Sequence, residues 1–301
     1  MNTALLPERG VIKVAGDGAR NFLHGLVTAD VLNLTAGEAK FCALLTPQGK
    51  IIADFIVAEA PKKDGGGFFL DVPQAQAAAL IGKLNLYRLR AKVIVEDLSQ
   101  VLGVLAAWNG ASARCSALMG VGLCYADPRL PALGLRVMLP PHLAGTAADK
   151  LDATLVDAGE YEAHRIALGV PRGGVDFSFG DAFPHEAEMD QLGGVDFAKG
   201  CYVGQEVVSR MEHRGTARTR AVPVSFAGAA PAAGTAVVAG DRQLGSLGSA
   251  AAGKAIALLR LDRVADALAQ GEPLMAGTTP IRLVKPDWAR FAFPGERKAA
   301  E

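Results

Sequence analysis

Residues 199–206 carry the most informative stretch of the chain: Lys199-Gly200-Cys201-Tyr202-Val203-Gly204-Gln205-Glu206. The stretch combines a thiol, two glycines, a cation, a phenol and an acid. Glycine lets the backbone turn tightly and approach a ligand closely. Free cysteine usually behaves as a small buried hydrophobe, but neighbours of this polarity favour a reactive or ligand-facing thiol. We therefore take Cys201 as the candidate functional residue, with a buried packing cysteine as the alternative.

The residues after this motif predict a short helix from about Val203 to Glu212. A cysteine just before a helix N-terminus lies in a partial positive potential, which favours the thiolate over the thiol. Lys199 also favours the thiolate of Cys201, or it binds a carboxylate of a ligand. The alternative is a solvated lysine. Tyr202 can stack on a flat ring or pack. Gln205 and Glu206 can orient a ligand or cap the helix.

The composition excludes several classes of protein. Of 301 residues, 31 are Lys or Arg and 31 are Asp or Glu, so we expect neither a nucleic-acid nor a membrane partner. The N-terminal residues lack the pattern of a secretory signal. The cysteines form no Cys-x-x-Cys pair and no Cys/His cluster, so we expect reduced thiols, no disulfide framework and no stably bound metal. A cytoplasmic location follows as the prediction. The cysteines are Cys42, Cys115, Cys124 and Cys201.

The order of predicted elements indicates an α+β fold. Strands such as Gly10–Gly16 and Lys50–Ala58 form hairpins interrupted by single helices, among them Pro73–Tyr87. Gly169–Lys199 is predicted to be an ordered functional loop, because long structureless loops are uncommon in compact domains. After Arg220, short strands between glycine-rich turns predict a small barrel or sandwich. The chain length allows two or three domains, and we place the boundary between residues 215 and 216.

On these residues the chain resembles the YgfZ-type folate-binding proteins and their mitochondrial iron–sulfur assembly relatives, which are related to the aminomethyltransferase, or T-protein, of the glycine cleavage system. Their hallmark Lys-Gly-Cys-Tyr-x-Gly-Gln-Glu stands at residues 199–206 without a mismatch. Phe22–Val31 is similar to the family's F-L-x-G-x-x-T-x-D-V, and Thr46–Lys50 stands where a family hairpin turns. The resemblance extends from about Gly10 to Val284.

The resemblance implies an aminomethyltransferase-like folate-binding region, residues 1–215, built from two ferredoxin-like halves around a channel. A C-terminal β-barrel, residues 216–301, follows it. Tetrahydrofolate or a derivative is the implied ligand, with Asp54, Glu186 and Arg214 as candidate contacts. The implied role is the assembly or repair of iron–sulfur clusters in client enzymes, with assembly or client proteins as partners of a monomer.

The sequence also departs from the family pattern. Aminomethyltransferases carry two adjacent acids after the hairpin glycine, the first of them catalytic, and the aligned pair here is Ala53-Asp54. Glycine-cleavage activity is therefore not expected, and whether the chain is an enzyme stays open. Asp54 either contacts folate or is the solvent-facing residue of an alternating strand. Arg214 belongs to a basic cluster that either binds carboxylates or forms a solvated stripe. Glu188 stands where the family often has asparagine.

Three functions remain open at this point. The first is a tetrahydrofolate-dependent iron–sulfur maintenance factor that uses the Cys201 thiol. The second is a folate-dependent one-carbon transferase of the aminomethyl type. The third is a non-catalytic scaffold for cluster-assembly partners. A single cysteine cannot hold a four-cysteinyl cluster alone, so the first hypothesis requires shared or transient contact with a cluster.

Overall fold

The computed structural model describes residues 1–110, 114–215 and 217–295. Within these ranges the β-strands are β1 Asn2–Leu5, β2 Arg9–Ala15, β3 Ala39–Leu45, β4 Ile51–Glu59, β5 Phe68–Pro73, β6 Ile94–Asp97, β7 Gly103–Trp108, β8 Leu123–Ala126, β9 Leu135–Leu139, β10 Thr154–Leu155, β11 Thr219–Phe226, β12 Ala236–Ala239, β13 Arg242–Ala251, β14 Lys254–Arg260, β15 Leu274–Ala276 and β16 Thr279–Leu283. The α-helices are α1 Ala19–His24, α2 Ala77–Arg88, α3 Ala144–Leu151, α4 Ala158–Ala167, α5 Gln205–Arg214 and α6 Leu261–Ala269.

The chain divides into two compact units. The first comprises Met1–Tyr161 and Leu192–Val207, and the second comprises Glu162–Gln191 and the described residues from Val208 onward. The chain passes from one unit to the other three times: within α4, between Gln191 and Leu192, and within α5. The boundary predicted at Thr216 lies outside the described residues, so the division into 1–215 and 216–301 stays a prediction.

The first unit contains two five-stranded sheets. One has the order β3-β4-β5-β2-β6 and is antiparallel throughout; the other has the order β10-β1-β7-β9-β8 and is parallel only where β1 meets β10. Successive strand residues point to opposite faces. On β4, Ala53 and Phe55 therefore pack with Leu23 of α1 and Leu80 of α2. The intervening residues, Asp54 among them, face the other side of the sheet.

The second sheet of this unit repeats the arrangement. Leu135 and Val137 of β9 pack with Ala147 and Leu151 of α3, while Arg136 between them points to the opposite face. That face meets the first sheet, because an Arg136 nitrogen lies 2.6 Å from a carboxylate oxygen of Asp71 on β5. The helices thus cover the outer faces of the two sheets, and the inner faces enclose an interior with charged side chains.

The second unit contains a closed barrel with the strand order β11-β14-β13-β12-β15-β16. Its core consists of small and branched apolar residues, with Val264 and Ala267 of α6 packed against them. The long segment predicted as an ordered loop forms no α-helix or β-strand over its described residues 169–199, yet Val170 and Met189 are fully buried. The α+β fold with a C-terminal barrel is therefore confirmed.

Two of the cysteines are not in the reduced state that the sequence predicted. Cys115 and Cys124 form a disulfide, with their Cα atoms 5.3 Å apart. Cys115 begins a 3₁₀ turn that packs beside β8, which carries Cys124. The prediction of reduced thiols is thus wrong for this pair, because the sequence spacing does not reveal which cysteines the fold brings together.

Over the described residues, no helix combines the length and the apolar character needed to cross a bilayer.

Candidate functional site

Cys201 lies on an exposed loop of the first unit. The helix predicted from about Val203 begins later, at Gln205, because Gly204 has a φ of +83°. The charge effect of a helix terminus is confined to its first turn, and Cys201 lies outside that turn. Cys42, the other unpaired cysteine, is buried on β3, where burial raises the pKa of its thiol. Among the four cysteines, Cys201 alone combines an unpaired thiol with exposure to solvent.

Lys199 fixes this loop to the end of α1. Its ammonium donates hydrogen bonds to the backbone carbonyls of His24, at 2.6 Å, and Val27, at 2.5 Å. Carbonyls at a helix C-terminus lack partners within the helix, and a cation satisfies them well. The residue is buried, and burial lowers its pKa to about 8. The alternative of a solvated lysine is therefore wrong.

Glycines bring the motif against the predicted hairpin turn. A Cβ atom on Gly204 would lie 2.5 Å from the carbonyl oxygen of Thr46, and one on Gly49 would lie 3.0 Å from the Cβ of Val207. Both glycines have positive φ angles. Side chains at either position would separate the motif from the turn, so two of the three stretches that carry the family resemblance also pack together.

The remaining motif residues around Cys201 differ in how deeply they are buried. Tyr202 is buried, its ring centroid lies 4.8 Å from the Lys199 ammonium, and burial raises the pKa of its phenol to about 12. This favours packing over ligand stacking. Gln205 is half-buried and Glu206 is exposed at the start of α5. A Cβ at Gly200 would meet no atom within 4 Å in the described structure, so the backbone beside the thiol is open.

A second group of functional candidates lies in the interior of the same unit. We name it the interior charge cluster: Arg9, Asp71, Asp127, Arg129 and Arg136. Asp71 binds Arg9 at 2.5 Å and Arg136 at 2.6 Å, and Asp127 binds Arg129 at 2.7 Å and Arg136 at 2.8 Å. Burial by itself would raise the pKa of both carboxyls, but the adjacent guanidinium groups outweigh it and lower the pKa.

Asp54 borders this cluster from β4. It is 7% exposed, so the alternative of a solvent-facing strand residue is wrong. Its Oδ1 atom is buried and has no hydrogen-bond partner in the described structure. Burial raises the pKa of the carboxyl, although Arg9 and Arg129 act against that rise. An unsatisfied buried acceptor is costly, which makes Asp54 the strongest candidate for a ligand contact in this unit.

The interior charge cluster was not predicted from the sequence, although the sequence carries a signal for it. Asp71 interrupts the apolar run Phe68–Val72, and Arg136 interrupts Leu135–Leu139. A charge inside an otherwise apolar strand predicts a buried ion pair, since charged residues are almost never fully buried unless paired. The Asp71–Arg136 pair still could not be assigned, because its two residues come from different sheets.

The other two predicted folate contacts lie in the second unit. The carboxylate of Glu186 accepts a hydrogen bond from the backbone N–H of Phe183 at 2.9 Å, which stabilises the local turn. Arg214 is exposed in the last turn of α5. Asp54 belongs to the first unit, and the folate roles of all three residues stay predictions.

Comparison with known proteins places these features in context. Residues 218–291 match the family model described as the C-terminal β-barrel domain of CAF17. The chain is 36% identical over 236 residues to the protein named iron–sulfur cluster assembly factor IBA57 homolog, mitochondrial, of Mycosarcoma maydis, covering 74% of this chain and 57% of that protein. A protein of the same name from Pyricularia oryzae is 36% identical over 219 residues, covering 72% and 56%. The chain thus spans little more than half the length of these relatives.

A solved structure supports the fold. The glycine cleavage system aminomethyltransferase T from Bartonella henselae superimposes with a TM-score of 0.73, covering 97% of this chain and 87% of that one at 16% identity. At this identity the likeness shows the fold alone. The predicted aminomethyltransferase-like fold followed by a barrel is confirmed.

Two predictions need correction. The resemblance to iron–sulfur assembly proteins is confirmed, but the relatives are named IBA57 homologs, and the YgfZ-type proteins are a related family. The predicted cytoplasmic location is wrong, since the curated relatives are named mitochondrial. That prediction rested on cysteine pattern and the lack of a secretory signal, and neither property separates the cytoplasm from other non-secretory compartments.

Proposed function

We propose that this chain is an iron–sulfur cluster assembly factor that presents the Cys201 thiol to a cluster and holds tetrahydrofolate in the interior of its first unit. The observation that carries the proposal is the exposed, unpaired thiol on a loop fixed by Lys199 and Gly204. A fixed loop presents the thiol in one place, and the open backbone at Gly200 leaves room for a large partner.

The cluster is the cargo of this reaction. Iron–sulfur clusters are generally held by four protein ligands, most often cysteine thiolates, and Cys201 supplies one. The other ligands therefore come from a partner protein, either the donor of the cluster or the client enzyme. A partner that offers two or three cysteines fits this arrangement.

The thiol is tested by substituting Cys201→Ser, with Cys42→Ala as the matched control that removes a thiol elsewhere. Each protein is mixed anaerobically with equal amounts of ferrous and ferric iron, sulfide and an apo-enzyme that needs a [4Fe–4S] cluster, and enzyme activity is followed over time. We expect wild type and Cys42→Ala to accelerate activation and Cys201→Ser to leave it at background. Equal acceleration by Cys201→Ser would remove the thiol from the proposal.

Asp54 supports the folate part of the proposal. The pterin ring offers neighbouring N–H donors, which suit a carboxylate with an unoccupied oxygen. The interior charge cluster holds three arginines against two aspartates, and its positive excess suits the anionic tail of a folate. When bound, tetrahydrofolate supplies ring nitrogens that can carry a one-carbon unit. This chain would hold the pterin through Asp54 and attract the tail through the arginines.

Folate binding is tested by following the unfolding temperature of the protein against tetrahydrofolate concentration. A ligand at about one hundred times its Kd adds about 2.7 kcal/mol of stability. We expect wild type and the exposed control Asp149→Asn to be stabilised equally and Asp54→Asn much less. A wild type that is not stabilised contradicts the folate proposal, and leaves the Cys201 proposal standing.

One observation favours a folate-dependent one-carbon transferase as the second candidate function. Ala53, aligned with the family's catalytic acid, packs towards the helices, whereas Asp54 is the acid that faces the interior. The alanine therefore counts less against transfer than the sequence suggested. Turnover of an aminomethyl donor in the presence of tetrahydrofolate tests this function, and a rate at background excludes it.

A further inference from the structure

A group of metal-ligating side chains lies in the second unit. We name it the His185 cluster: His185, Glu188, Asp190, Glu212 and Arg220. His185, Asp190 and Glu212 each offer one ligand atom, and these atoms lie within 4.8 Å of one another. The Nε2 atom of His185 is 3.0 Å from an oxygen of Glu212. No ion is present at this position, and no metal-ligand spacing in the sequence pointed to it.

Most side chains of the His185 cluster are buried. His185 is 2% exposed and Glu188 is 0% exposed. Arg220 binds the carboxylates of both Glu188, at 2.7 Å, and Asp190, at 2.8 Å, while the Glu212 side chain is 44% exposed and closes the outer side. The cluster thus holds three carboxylates and one guanidinium group, which binds two of them. This negative excess in a buried place requires either bound protons or a cation.

Glu188 gives an independent reason to expect a ligand. Its Oε2 atom and an oxygen of Asp190 both accept from the same guanidinium nitrogen of Arg220, so its carboxyl faces the cluster. Its Oε1 atom is buried and has no hydrogen-bond partner among the described residues. The residue has a φ of +59°, a conformation that few non-glycine residues adopt. A buried acceptor left open beside a His–Asp–Glu set is typical of a cation site.

The donor set indicates the kind of cation. Calcium and magnesium prefer oxygen ligands alone, whereas an imidazole nitrogen combined with carboxylates suits zinc, iron and other first-row ions. Ligands at about 2.0–2.2 Å from such an ion lie roughly 3 Å apart when adjacent. His185 and Glu212 are hydrogen-bonded to each other at 3.0 Å, and this separation is also compatible with adjacent ligands of one ion.

The backbone holds the ligands in place without the ion. The carbonyl of Glu186, next to His185, accepts a hydrogen bond from the N–H of Ala221 on β11. Arg220, on the same strand, donates to the carbonyl of His185 as well as to Asp190. Hydrogen bonds of this kind orient metal ligands and raise metal affinity.

We propose that His185, Asp190 and Glu212 bind one first-row divalent transition-metal ion, with Glu188 as a further carboxylate towards it. Arg220 is a positioning residue that orients Asp190. The bound ion joins the loop that carries His185 and Asp190 to helix α5. This proposal does not depend on the proposed function, since it uses none of its residues.

The test uses Co²⁺, whose visible absorption reports its ligands, added to the full chain carrying Cys201→Ser. That background excludes binding through the exposed thiol. Glu212→Gln removes the ligand whose side chain is most exposed, so the variant is expected to fold. Glu160→Gln, on the exposed surface of α4, is the matched control.

We expect one Co²⁺ per chain in the Cys201→Ser background, and an unchanged affinity after adding Glu160→Gln. Adding Glu212→Gln should weaken binding by at least about tenfold. Zn²⁺ should displace the Co²⁺ and abolish the visible absorption. The proposal is overturned if the Cys201→Ser protein binds no Co²⁺, or if Glu212→Gln binds it as tightly as the control does.

Discussion

The interior charge cluster and the His185 cluster differ in the sign of their excess charge. The interior charge cluster of the first unit holds three arginines and two aspartates, and each aspartate contacts two of the arginines. The His185 cluster of the second unit holds three carboxylates and one arginine. Burial makes an uncompensated charge costly, so each excess indicates what the cluster lacks. The positive excess of the interior charge cluster suits an anionic ligand or an ionised Asp54. The negative excess of the His185 cluster suits a cation.

The largest effect is expected from breaking the compensated pairs of the first cluster. Asp71→Asn leaves Arg9 and Arg136 each without one carboxylate partner. Removing one partner of a buried ion pair costs about 3–5 kcal/mol, and we expect the free energy of unfolding in urea to fall by that amount. Glu272→Gln breaks an exposed pair with Arg242 and should cost less than about 1 kcal/mol. Equal losses in the two variants would show that burial does not govern the first cluster.

A smaller loss of stability is expected from removing Arg220, the residue of the His185 cluster that is always positively charged. Arg220→Met leaves Glu188 and Asp190 without their guanidinium partner, which costs about 2–3 kcal/mol. The loss is smaller because burial already holds the pKa of Glu188 well above its ordinary value, so this carboxyl can take up a proton. Urea unfolding measures the loss, and a loss as large as that of Asp71→Asn would contradict this account.

The smallest effect concerns Asp54 and depends on pH. Its pKa is raised in the folded protein, so its favourable contribution is complete below the ordinary value of 3.8 and is lost as pH rises through the folded value. Asp54→Asn should therefore become progressively more stable than wild type as pH rises above 3.8. Urea unfolding between pH 4 and pH 8 measures this difference.

The contributions of Asp71 and Asp127 to stability change with pH in the opposite direction. Their pKa values are lowered in the folded protein, so their contribution is present above the ordinary value of 3.8 and is lost as pH falls through the folded values. The difference between Asp54→Asn and wild type should shrink as pH falls towards 3.8, whereas the loss of stability through Asp71 and Asp127, which both proteins share, should set in below that pH. A difference that stays constant across this range would show that Asp54 is not titrating.

The fold was predictable to a large extent, and the site only in part. Glycine-bounded alternating runs such as Gly10–Gly16 are local patterns, and they predicted β2 to within a residue. The motif at residues 199–206 pointed to an aminomethyltransferase-like fold, which the structural comparison confirms. The start of α5 was misplaced, because the positive φ of Gly204 reflects its close approach to Thr46. That contact joins residues far apart in sequence.

By itself the sequence determined the local chemistry: an unusual thiol at Cys201, an α+β pattern and a barrel at the C-terminal end. These features depend on neighbouring residues or on short periods, which a linear reading contains. Only the tertiary structure decided that Lys199 binds carbonyls of α1 and that Asp54 is buried beside arginines. It also decided that Cys115 pairs with Cys124 and that His185 meets Glu212. Burial and pairing depend on which distant segments pack together, and they determine whether a charged group is solvated, paired or open to a ligand.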